Sequence, residues 1–252
     1  MVGSEMNWDG PDTGSYSFKK LRILAVHRYY WPDTPPYATI LRRIVKRWKR
    51  DGHSIEILSS QPSYKAALKN QHRPRHETID GILVHRLCLP NETGRPMVRL
   101  LNALHLSVAM IWKALMHRYD VIMISTVPPV LGGLMAAFSA RLTKARFIYH
   151  CMDIHPEIGR ISGEFSHPFV FNLLRKLDNW SCRQANPVVV LSQDMRNTLY
   201  QRLDSAQTSI QVLNNFSLPS DELIPTALPF ELPKRRLTVL FAGNIGRFQG
   251  LD

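Results

Sequence analysis

One β-α-β unit near the start of the chain constrains its fold more than any other feature. Residues 21–60 read LRILAVHRYYWPDTPPYATILRRIVKRWKRDGHSIEILSS. The apolar run at 21–26 has the length and composition of a buried strand. Ile40, Leu41, Ile44, Val45 and Trp48 then recur at helical spacing, with Arg42, Arg43, Lys46, Lys49 and Arg50 filling the other face. Asp51-Gly52 ends the helix, Gly52 serving as a left-handed cap. Ile55, Ile57 and Leu58 begin a second strand. Strand, helix and strand in this order seed a parallel sheet, whose ligands sit beyond the carboxyl ends of the strands. The proline- and aromatic-rich elbow at 27–36 is therefore the first candidate site.

That elbow excludes two large classes. It has no G-x-G-x-x-G and no G-x-x-x-x-G-K-[ST]. The second strand ends in Ser59, Ser60 and Gln61, with no acidic residue to hold a ribose. A nicotinamide dehydrogenase and a P-loop enzyme are both disfavoured. The elbow instead offers Pro32, Asp33, Pro35 and Pro36 among Tyr29, Tyr30, Trp31 and Tyr37. It reads either as a stiff connector or as one wall of a binding cleft.

The same alternation of strands and helices continues. Expected strands lie at 82–87, 121–124, 146–151, 187–191 and 210–213, with helices at 97–116, 129–142, 169–183 and 193–203. This pattern argues for an α/β fold with a doubly wound parallel sheet. Residues 59–78 read as one long polar loop and 159–167 as a flexible one. The helix at 97–116 carries a stripe of Leu100, Leu101, Leu104, Val108, Ile111 and Trp112, while Leu106 and Met110 mark another face. It is either a buried helix or one that lies at a lipid interface. The uncharged run at 121–140 is broken by Pro128-Pro129 and Gly132-Gly133, which favours a strand, a turn and a helix over a membrane span.

The ends differ in character. Residues 1–18 are polar, lack a secretory apolar region and read as a disordered leader. The expected main domain is 19–216. Pro219, Pro225, Pro229 and Pro233 punctuate a linker at 217–236. A fresh strand at 237–242 and the glycine-rich turn at 243–250 then open a second Rossmann-like domain at 237–252. Its backbone N–H groups and Arg247 suit a diphosphate.

Charge and cysteines narrow the setting. The 252-residue chain has a net charge of +12, which points to an anionic partner such as a phosphorylated molecule or an anionic lipid surface. No basic motif of a known nucleic-acid module accompanies it, so nucleic acid is not an expected partner. Cys88, Cys151 and Cys182 form no C-x-x-C, which argues for a reducing compartment. A second polar elbow follows the strand at 146–151 and supplies Asp153, His155 and Glu157. These either position a hydroxyl and accept its proton or form a capped turn. His150, Asp153 and His155 lack further spaced metal ligands, so neither metal nor cofactor is expected.

Taken in order, VHRYYWPDTPPYATILRRI, GHSIEILSSQPSY, DIHPE, VVVLSQDM and LFAGNIGRFQGLD resemble glycosyltransferase family 4, retaining nucleotide-sugar enzymes of the GT-B fold. The likeness covers about residues 20–252 and looks closest to the bacterial branch that builds surface polysaccharide, including N-acetylfucosamine-type transferases. The resemblance implies that the chain is the acceptor-side domain. It sets Asp33, Pro35, Pro36 and Tyr37 where relatives bring the first helix toward the donor diphosphate, and Asp153 and Glu157 on the acceptor side of the cleft. Asp153 and Glu157 are the candidate catalytic pair, and Thr126 and His155 are further cleft candidates. Gly243, Asn244, Gly246 and Arg247 fall where relatives contact the donor phosphates. Where several relatives have a histidine motif, this chain has Ser125-Thr126-Val127-Pro128.

The implied partners are a nucleotide-sugar donor, bound only with a complete second domain, a lipid-linked or polysaccharide acceptor, and an anionic membrane surface. The implied location is cytoplasmic, peripheral at the inner membrane face. The family's paired-glutamate donor motif would lie beyond Asp252, so the chain reads as an N-terminal fragment, inactive alone. The alternative is the non-catalytic acceptor half of a transferase split between two chains.

Overall fold

The computed structural model describes residues 19–33, 35–63, 72–92, 94–161, 163, 165, 167–203 and 208–215. The expected leader, linker and second-domain start, with Gly243, Asn244, Gly246 and Arg247, lie outside the described residues. The elements in chain order are β1 (Arg22–Val26), α1 (Pro36–Arg50), β2 (Ser54–Ser60), β3 (His76–Ile79), β4 (Ile82–Leu87), α2 (Pro96–His117) and β5 (Val121–Ser125). Then follow α3 (Leu131–Thr143), β6 (Arg146–Cys151), α4 (Glu157–Ile161), α5 (Pro168–Gln184), β7 (Val188–Val190), α6 (Gln193–Leu203) and β8 (Ile210–Val212).

One eight-stranded sheet has the order β3-β4-β2-β1-β5-β6-β7-β8. Every pairing is parallel except β3 with β4. β3 corrects the expected loop at 59–78. Its HETI sequence alternates in burial and pairs antiparallel along the sheet edge, and so carries no apolar run to announce it. Arg86 of β4 fixes that edge by pairing with Glu77.

The central strands are buried on both faces and split their side chains by the period of two. Ile23 and Ala25 face α1, packing with Tyr37, Ile40, Leu41 and Val45. Leu24 and Val26 face the other layer, where Leu106, Met110 and Ala114 of α2 meet Ala136, Ala137 and Ala140 of α3. The expected core stripe of α1 is present, and Gly52 adopts φ +89 after it. The apolar stripe of α2 does not form the core contact: the helix buries Asn102, Ala103, Leu106, Ser107, Met110, Lys113 and Ala114 and turns most of the stripe to the surface. On the α1 side, β5 to β8 present Met123, Ile148, Val189 and Gln211 to a cavity of about 1060 Å³, walled by the basic flank of α1.

Two junctions depart from expectation. Glu157–Ile161 is a short helix where part of a loop was expected. α3 begins at Leu131 and not at Pro129. Val130 there has φ 56 and ψ −57, and the Leu131 N–H donates to Pro129 O at 2.5 Å. This is the rarer hand of γ-turn, strained for a β-branched residue. The two glycines that follow let α3 close onto the sheet: a Cβ on Gly133 would lie 2.8 Å from the Tyr149 ring.

Candidate active-site rim at the strand ends

The chain runs from β1 to β2 on one side, then crosses to β5 on the other side of β1. β1 and β5 therefore flank the topological switch point, the crevice where sheets of this kind bind ligands. The residue after β1 is His27 and the last residue of β5 is Ser125. His27 Nδ1 lies 2.6 Å from Ser125 Oγ across that crevice. Tyr37, from the first turn of α1, packs edge-on against His27 with ring centroids 4.6 Å apart. Its hydroxyl is 3.0 Å from Nδ1 of His150 on β6. Four elements thus converge on one cluster, two hydrogen-bonded pairs joined by the His27–Tyr37 ring contact.

Burial decides the charge state of this cluster. His27 is pushed down to about 3, first by burial and then by the nearby His150. His150 is pushed down to about 4 by burial. Both imidazoles are neutral at physiological pH. Burial raises the Tyr37 hydroxyl, which stays protonated. His150 Nε2 and Thr126 Oγ1 are buried and have no hydrogen-bond partner among the described residues. Unmet buried groups are rare and mark places where a ligand or water completes the bonding.

Hydrogen bonds at Arg28 and Asp33 anchor the first elbow to the residues that end and follow β2. Asp33 is fully buried, and its carboxylate accepts from the Ser63 N–H at 3.1 and 3.2 Å. Ser59 and Ser60 hydroxyls donate to Arg28 O at 3.0 and 2.8 Å. Arg28 pairs with Glu92 at 2.6 Å, and Arg86 donates to Trp31 O. Pro35 precedes α1 in extended conformation and Pro36 is its first residue, a position where a missing N–H costs nothing. The elbow thus aims Tyr37 at the switch point.

The second elbow is tied to the domain by a buried network. Arg202 of α6 pairs with Asp178 and donates from Nη1 to His155 O at 2.7 Å and to Glu157 at 3.0 Å. Arg175 also approaches Glu157 at 3.9 Å. The Tyr149 hydroxyl donates to Asp178 at 3.0 Å. Burial holds the Asp178 carboxyl above its ordinary range despite Arg202 beside it. Glu157 is therefore bound into an ion-pair network, while Asp153 stands half-buried just beyond β6.

Among the candidates from sequence, the structure brings Tyr37 to the switch point and sets buried Thr126 directly after β5. It places Asp33, Pro35 and Pro36 in the supporting elbow and Asp153, His155 and Glu157 beyond β6. His27, Ser125 and His150 complete the cluster; His27 lies inside the first candidate elbow and His150 enters the sequence reading only as a metal ligand, but that reading singles out none of the three for this role. The signal was a polar residue closing each apolar run: Val26-His27, Ile124-Ser125 and Tyr149-His150. The cluster is neutral, so it suits the orientation of hydroxyl groups better than the capture of a phosphate. Among the described residues no group of three or more His, Cys, Asp or Glu side chains could hold a metal ion.

A family model described as a glycosyl transferase 4-like domain matches residues 37–215. Sucrose-phosphate synthase from Thermosynechococcus elongatus superposes with a TM-score of 0.55 at 11% identity, over 76% of this chain and 47% of that one. UGT89C1 of Arabidopsis thaliana gives 0.49 at 15% identity, over 82% and 53%. HepE of Anabaena, solved in complex with UDP-glucose, gives 0.45 at 18% identity, over 78% and 44%. The likeness to the synthase is one of fold, and the chain spans about half the length of these solved structures. No curated protein sequence matches the chain.

Proposed function

The chain belongs to the glycosyl transferase 4-like family, and from that premise we propose that it is the acceptor-side half of a sugar transferase. The reaction moves a sugar from a nucleotide donor to a hydroxyl of a lipid-linked or polysaccharide acceptor. We read the transfer as retaining, the product as cell-surface polysaccharide of the kind built by N-acetylfucosamine-type transferases, and the place of work as the cytoplasmic side of a membrane. The observation that carries the reading is the neutral cluster across the β1–β5 crevice, with His27 and Ser125 2.6 Å apart.

The roles follow from the chemistry. Neutral His27, oriented by Ser125, exchanges a hydrogen bond with a sugar hydroxyl without attracting a counter-ion. Thr126 Oγ1 and His150 Nε2, both buried without partners among the described residues, offer further bonds at the same rim. Asp153, just beyond β6, orients the acceptor hydroxyl and takes up its proton. Glu157 sets the loop that carries Asp153 through its bond to Arg202. The donor diphosphate needs cations and backbone N–H groups, which this reading assigns to Gly243, Asn244, Gly246 and Arg247 in the second domain.

The test is sugar transfer from a nucleotide sugar to a lipid-linked acceptor by this sequence joined to a donor-binding half. Asp153→Asn is expected to slow transfer by about a hundredfold, in line with loss of a general base. Glu157→Gln acts through the loop and slows it by about tenfold. Transfer at the unmodified rate in both variants overturns these roles.

A further inference from the structure

We propose that the outward face of the helical layer α2–α3–α5 docks flat on an anionic lipid surface. α3 packs against both α2 and α5, so the three helices lie side by side over one face of the sheet. Each turns large apolar side chains away from the sheet. On α2, Leu101, Val108 and Trp112 are 60%, 63% and 66% exposed. Phe138 and Leu142 of α3 and Phe169 of α5 are exposed on the neighbouring helices. Monomeric proteins rarely leave apolar patches of this extent open to water, and such patches mark interaction surfaces.

The charge around this face selects the partner. The three helices contain one acidic residue, Asp178, and it is buried against Arg202. Every charged residue exposed on them is a cation: Arg99, Arg141, Lys176 and Arg183. Arg95 and Arg118 stand exposed at the two ends of α2. An apolar centre with a basic rim matches the acyl boundary and the headgroups of an anionic bilayer.

α2 is also long and apolar enough to cross a membrane. Its inner face excludes that arrangement. Lys113 Nζ lies 2.7 Å from Glu56 on β2, and Asn102 donates to Pro90 O at 2.9 Å. Lifting α2 from the sheet would break the partly buried Lys113–Glu56 ion pair and carry the Lys113 charge and the Asn102 amide into lipid. The helix therefore stays on the domain and meets lipid from one side. This inference deepens the membrane part of the proposed function, and vesicle binding needs no sugar donor, so the two readings fail separately.

The experiment is co-sedimentation of the full chain with phosphatidylcholine vesicles, with and without phosphatidylglycerol. Binding is expected only with phosphatidylglycerol, and weakening as salt rises. Val108→Glu and Trp112→Ser should each lower apparent affinity by about tenfold or more, with unchanged circular dichroism because both side chains already face water. Brominated lipid should quench tryptophan emission, and the quenching should fall in Trp112→Phe. Unaltered vesicle binding by Val108→Glu overturns the proposal. So does a dimer in solution that Val108→Glu dissociates without any vesicle binding, since the occupant is then a second copy.

Discussion

Lowering the pH from 7.5 to 5 should cost this domain about 4 kcal/mol through two imidazoles at the strand-end cluster. His27 and His150 have folded values of about 3 and about 4, against 6.5 in an unfolded chain. A depressed folded value means that the unfolded state binds the proton first. Stability from these groups is therefore full above pH 6.5 and is lost as pH falls toward the folded values. At pH 5, about 1.5 units below the unfolded value, each imidazole contributes about 2 kcal/mol of loss. Carboxylates held low add little in this window. Glu56, hydrogen-bonded to His85, and Asp80, bonded to Arg42, begin to lose their contribution only at about pH 5 and lose most of it at lower pH. Urea unfolding at a series of pH values measures the slope. His150→Phe keeps a ring against Tyr37 and should remove about half of it, roughly 2 kcal/mol at pH 5. Asp178 is common to both proteins, so the difference between their curves isolates His150. Parallel curves for the two proteins refute the assignment of a buried neutral imidazole at His150.

Two further perturbations test the packing beneath the site. Arg202→Met leaves the buried Asp178 carboxylate unpaired and should cost about 3–5 kcal/mol at neutral pH by urea unfolding. Without Arg202 the Asp178 carboxyl rises further above its unfolded value, so the deficit shrinks as pH falls, and adding Asp178→Asn should recover at least half of it. Gly133→Ala puts a methyl 2.8 Å from the ring of Tyr149, which its bond to Asp178 holds in place. Overpacking should outweigh the gain in helix propensity and lower stability by about 1–2 kcal/mol in thermal unfolding.

Much of the fold was legible because its elements carry strong periodic signals. α1 shows five apolar residues at helical spacing, and the run closing β6 is apolar until His150. α2 shows the limit of that signal. The spacing of Leu101, Leu104, Val108 and Trp112 establishes a stripe, but a stripe reads the same whether sheet or water faces it. The direction depended on Asn102 and Lys113 finding partners outside the helix, at Pro90 and Glu56, which no local pattern displays. β3 was hidden for a related reason, since its pairing partner and not its composition makes it a strand.

The site was legible in its placement and not in its membership. Elbows after β1 and β6 were found from the rule that ligands gather at strand ends. His27 and Ser125 are 98 positions apart, and nothing in sequence says that β5 lies beside β1. Glu157 has the residue type of a catalytic carboxylate, and only the fold reveals Arg202 against it.

The central claim is that the rim formed by β1, β5 and β6 is the acceptor side of a sugar transfer completed by a second domain. It is tested most directly by transfer of a labelled sugar from a nucleotide sugar to a lipid-linked acceptor. The purified chain alone should show no transfer, and the chain joined to a donor-binding half should show turnover. His27→Phe in the joined protein, with its fold verified by circular dichroism, keeps a ring against Tyr37 but removes the hydrogen bond, and should lower the rate by about tenfold. Turnover by the chain alone, or an unchanged rate in His27→Phe, contradicts the account.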